Sequence, residues 1–72
     1  MSPGDLARIK DDAVPMFHDS SLSNYTRAVG GEVVVVVEPN SLLRVRDGGL
    51  FAQVLHPIVG IIYISKHRLE AV

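Results

Sequence analysis

Five consecutive valines, Val33 to Val37, constrain this chain more than any other feature. Each is branched at Cβ and stiff at χ1, which suits a pleated strand better than a helix. Gly30-Gly31 and Glu32 lead into the run, and Glu38-Pro39-Asn40-Ser41 ends it with residues that favour turns. Along a strand, successive side chains point to opposite faces, so a half-buried strand alternates apolar with polar. Here both sets are valine, and one of them must point outward. Val34 and Val36 are therefore candidate protein contacts. A second copy of the chain is the first partner to consider, because closed symmetric dimers are the commonest assemblies. Glu32, Glu38 and Pro39 would limit that pairing to the intended partner. The competing expectation is that the segment from Ala13 to Gly31 folds back over the outward valines.

The remaining apolar residues also come in short blocks bounded by turn chemistry, without the i, i+3, i+4, i+7 recurrence of a helix. Leu6 to Lys10 reads as a first strand that closes at Asp11-Asp12. From Ala13 to Gly31 an irregular excursion is expected: Val14-Pro15-Met16-Phe17 is extended, because a residue before proline avoids the α region, and His18 to Asn24 is a serine-rich loop. After the valines, Leu42 to Arg46 resumes extended structure. Asp47-Gly48-Gly49 supplies the residues of a tight hairpin before Leu50 to Leu55 returns. His56-Pro57 breaks the pattern and Val59 to Ile64 forms a further strand. Ser65 to Arg68 suits one helical turn, and Leu69 to Val72 closes a single domain spanning residues 1–72.

With 72 residues the chain is too short for two independent cores. It has no cysteine, so disulfides and thiolate metal sites are excluded. Seven basic and eight acidic side chains give a charge near neutral, which argues against binding that rests on overall positive potential. The apolar runs are shorter than a membrane span, and the first residues show no basic region followed by an apolar stretch, so no membrane partner and a cytoplasmic location are expected.

Reaction chemistry is not visible in the residue pattern. His18, Asp19, Ser20 and Ser21 include the residue types of a hydrolytic triad, but sequence neighbours on a loop seldom face one another, and no nucleophile elbow surrounds the serines. His18, His56 and His67 lack a spacing that would put two of them on one face of an element. Asp11, Asp12, Asp19 and Asp47 lack the ligand rhythm of a calcium loop. No catalytic, metal or cofactor-binding residues are assigned, and the chain is not expected to be an enzyme.

Two stretches carry a resemblance. Gly60-Ile61-Ile62-Tyr63-Ile64-Ser65-Lys66-His67-Arg68-Leu69-Glu70-Ala71-Val72 resembles the end of SH3-type domains, where a glycine-led strand enters a short helical turn and a final strand. Gly4-Asp5-Leu6-Ala7-Arg8-Ile9-Lys10 is similar to the opening strand of small SH3-like proteins, including uncharacterised ones of cyanobacterial tailed phages. The resemblance implies an all-β fold: a small SH3-like barrel of five to six short antiparallel strands, with a long irregular loop after the first strand and a short helical turn before the last. For a phage-encoded protein it implies the host cytoplasm or the virion. The chain departs from the peptide-binding members of that family. It has no tryptophan, and its aromatic residues are Phe17, Phe51, Tyr25 and Tyr63, whereas those members clamp polyproline with clustered aromatics.

The expected function is a non-catalytic protein-interaction or assembly module, probed first at Met16, Phe17 and Tyr25. Met16 and Phe17 covering the open end of the barrel is the competing structural explanation. The alternative function is a nucleic-acid-binding module of the KOW type. Arg44 and Arg46 alternate along one strand face, with Lys66 and Arg68 extending the patch, at a spacing that suits phosphates.

Overall fold

The structure, a computed structural model, describes residues 1–43 and 49–72. Within them the chain is all-β, with seven strands and one 3-10 turn. The strands are β1 (Leu6–Ile9), β2 (Pro15–Phe17), β3 (Tyr25–Arg27), β4 (Val33–Glu38), β5 (Phe51–His56), β6 (Gly60–Ser65) and β7 (Leu69–Ala71), and the 3-10 turn Lys66–Arg68 lies just before β7. They form one antiparallel sheet in the order β3-β2-β6-β5-β4-β1-β7, which leaves β3 and β7 as its two edges. The sheet curls so that one face encloses the core. The expected excursion after β1 is present, but it contains a small hairpin of its own, β2 against β3. The strand expected over Leu42 to Arg46 falls partly outside the described residues. Ser41 and Leu43 exchange backbone hydrogen bonds with Phe51, while Arg44 to Asp47-Gly48 lie beyond what is described, as does most of the expected hairpin turn. No helix among the described residues is long and apolar enough to cross a membrane.

Register determines which valines go inward. Ala7 pairs with Val34 and Val36 with Val54, and Val54 in turn pairs with Ile62. These inward side chains join Ile9, Met16, Ala52, Ile64 and Leu69 in one core cluster. Val34 and Val36 are each only 1% exposed. The outward set is the odd-numbered one, with Val33 and Val37 exposed and Val35 partly so. Val34 and Val36 are thus core residues, which corrects their assignment as contacts. Met16 is corrected in the same way: it is 1% exposed and packs beside the inward valines.

The excursion between β1 and β4 contributes Val14, Met16 and Ala28 to the core. It therefore packs on the inner face of the sheet, and Val33 and Val37 on the outer face stay exposed. Its base is pinned where Gly30 passes Asp12: the Gly30 N–H donates to the Asp12 carboxylate, and a Cβ at Gly30 would meet that oxygen at 3.0 Å and backbone at 3.2 Å. Gly31 serves a different need, since its φ of +89° lies in the region that side chains disfavour. The pair of glycines thus meets two separate constraints, close approach at one position and backbone conformation at the next.

Candidate functional site

Among the described residues, the outward face of the sheet carries a contiguous apolar surface. Leu6 of β1 pairs with Val35 of β4, Val35 with Leu55 of β5, and Leu55 with Ile61 of β6. Directly opposed residues on one sheet face have Cβ atoms about 5 Å apart, so these four side chains form a continuous aliphatic row about 14 Å long across four strands. Leu6 is 50% exposed, Leu55 43% and Ile61 45%. Val33 and Val37 flank the row on β4 and are also exposed. Such side chains occur singly on most surfaces, whereas these four are contiguous.

A second row adjoins the first on the same face. Gln53 pairs with Tyr63, Tyr63 with Phe17, and Phe17 with Tyr25. The Phe17 ring lies 5.7 Å from Phe51, edge-on, and 5.7 Å from Tyr25. Those geometries suit the quadrupoles of aromatic rings. Phe17 covers Phe51, which is why Phe51 is buried although it points away from the core. The Arg27 guanidinium sits 5.2 Å above the Tyr25 ring and donates to the Ala13 carbonyl at 2.7 Å. Of the three loop residues expected to make contacts, the structure therefore brings Phe17 and Tyr25 together on the outer face and sends Met16 inward.

The cations proposed for nucleic acid are placed only in part. Arg44 and Arg46 lie outside the described residues. Lys66 Nζ donates to Asn40 Oδ1 at 2.6 Å, and Arg68 forms an exposed ion pair with Asp11 at 2.9 Å. Both of these cations already have local partners.

One polar cluster escaped the sequence reading, which took Glu32 as an edge guard and His56 as a strand end. His56 is 2% exposed. Its Nδ1 accepts the Ile58 and Val59 N–H groups at 3.1 and 3.2 Å, so the ring proton resides on Nε2, which donates to Glu32 Oε2 at 2.9 Å. Glu32 Oε1 in turn accepts the Val29 N–H at 2.8 Å. The cluster ties the turn between β5 and β6 to the end of the excursion. Its histidine is shielded from solvent, and Glu32 is the partly exposed member of the pair.

The residues of the imagined triad do not assemble. His18 Nε2 is bonded to Thr26 Oγ1 at 2.8 Å, while Asp19 takes the Ser21 hydroxyl and backbone N–H. The Ser21 hydroxyl holds the Asp19 carboxyl below the usual carboxylate range, with further help from backbone donors. This arrangement is that of a loop capping its own backbone. Among the described residues, no three histidine, aspartate or glutamate side chains converge as a metal site would require.

The chain matches no protein-family model, and no curated protein or solved structure is significantly similar to it.

Proposed function

We propose that this chain is a non-catalytic protein-interaction or assembly module built on an SH3-like barrel. The carrying observation is the row Leu6, Val35, Leu55 and Ile61 on the outer face, which is apolar and continuous across four strands. Small barrels act through surfaces and loops, and function has to be argued from the site. The element order supports the fold half of the reading: a first strand, a hairpin excursion, three consecutive antiparallel strands, and a 3-10 turn leading to a last strand. The resemblance of the opening stretch Gly4 to Lys10 to small SH3-like proteins, uncharacterised phage ones among them, supports an assembly role in a host cytoplasm or a virion.

The rival, a nucleic-acid module, is weakened by the local partners of Lys66 and Arg68 and by the near-neutral charge. A photoreactive residue placed at Leu55 or Ile61, with the same group at Leu42 as a control outside the row, tests the proposal in the cell that encodes the chain. Protein adducts should form at Leu55 and Ile61 and be scarce at Leu42. Equal labelling at all three positions, or adducts to nucleic acid alone, would overturn it.

A further inference from the structure

We infer that the occupant of the outward row is a second copy of this chain, in a face-to-face dimer centred on Val35 and Leu55. This inference rests on the reading of the face as a protein contact and names its partner. Size is the first argument. The molecule measures 26 × 22 × 20 Å and exposes 4208 Å². One side of such a body amounts to about 700 Å², close to the roughly 800 Å² per partner of a standard stable interface. To reach that area the partner must cover the whole side. An extended peptide covers one strand's width, whereas an identical face covers all of it.

Charge is the second argument. Around a two-fold axis each side chain near the axis meets itself or its close neighbours, so a charged centre would repel its own copy. The row from Leu6 to Ile61 carries no charge. Its nearest outward charged neighbours are Arg8 and Glu70, register partners of opposite sign, and Glu38, which pairs with Gln53, so a copy meets charges of both signs at the rim and none at the centre. Val33 and Val37 extend the apolar centre along β4, and the aromatic row of Tyr63, Phe17 and Tyr25 supplies a half-polar margin, an apolar core within a polar rim as homodimer interfaces have. A partner selected by charge would face a patch of one sign, and this face has none.

Sedimentation equilibrium on the full chain should show a mass twice 7.8 kDa that dissociates on dilution. Leu55→Lys should raise the dissociation constant at least tenfold. Leu42→Lys should leave it unchanged, because Leu42 is 98% exposed in the loop after β4 and belongs to neither row. Isotope-filtered NMR on an equal mixture of labelled and unlabelled wild-type chains needs no variant, and it should show contacts between copies at the Leu55 and Ile61 methyl groups. A wild type that stays monomeric at several hundred micromolar would overturn the inference, as would a dimer whose intermolecular contacts lie elsewhere. A monomer whose Leu55 and Ile61 positions still form adducts with another protein would refute the self-pairing alone and leave the contact face standing.

Discussion

The meander of β4, β5 and β6 and the excursion between β1 and β4 are held by different physics. In the meander, Val34, Val36, Val54, Ile62 and Ile64 fill one side of the sheet, and cross-strand register settles which residues those are. The excursion sends only Val14, Met16 and Ala28 inward. Besides its strand pairing and the Phe17 ring against Phe51, it is fastened by single polar atoms: Asp12 on the Gly30 amide, Arg27 on the Ala13 carbonyl and Glu32 on the Val29 amide. Apolar burial accepts any side chain of about the right volume, whereas a polar fastening fails when one atom is removed.

The largest expected effect tests the meander. Ile62→Ala should cost about 2–5 kcal/mol by removing a fully buried side chain from a packed core. Leu55→Ala, on the opposite face and measured at concentrations low enough to keep the chain monomeric, should cost about 1 kcal/mol or less. Chemical denaturation measures both, and equal losses would erase the distinction between the two faces.

A smaller effect should appear where the regions meet. His56→Ala strips the partner from the Ile58 and Val59 amides and from Glu32, at a cost of about 1–3 kcal/mol. Hydrogen exchange should quicken at Val29, Ile58 and Val59 together, since the imidazole and the carboxylate act as one link between excursion and meander. If only the turn amides quicken, the excursion is held without that link.

The smallest effect belongs to the exposed tip of the excursion. The Asp19 carboxyl is held below its ordinary range by Ser21, so its contribution to stability is present above the unfolded-state value and is lost as pH falls through the folded one. Asp19→Asn should flatten this acid limb by lowering stability slightly at neutral pH, leaving stability below the folded-state value nearly unchanged. A steep acid limb that survives the substitution would place the acid sensitivity elsewhere.

The meander was legible in the sequence because β-branched runs and the His56-Pro57 and Gly60 breaks are local signals. The 3-10 turn before the last strand was legible for the same reason. The facing of the valines was not. Five identical residues carry no alternation, and the choice depends on pairing with Ala7 and Val54, far away in the chain. The aliphatic row was hidden likewise, since Leu6, Val35, Leu55 and Ile61 become neighbours only through three registers. Phe17 and Tyr25 drew attention because their aromaticity stands out beside a polar loop, whereas the packing of Phe17 on Phe51 had no local signal. The bond between Glu32 and His56, 24 positions apart, leaves no local trace, and neither residue type announces burial.

The short edges of the sheet set a limit on what the molecule can build. β3 and β7 are each three residues long, so an incoming strand finds only a few backbone groups to grip. Growth by adding strand to strand, the route to fibres, starts from long open edges. In the dimer inferred above, assembly is complete once two sides have met, whereas growth along the edges would have only three residues of each edge strand to start from.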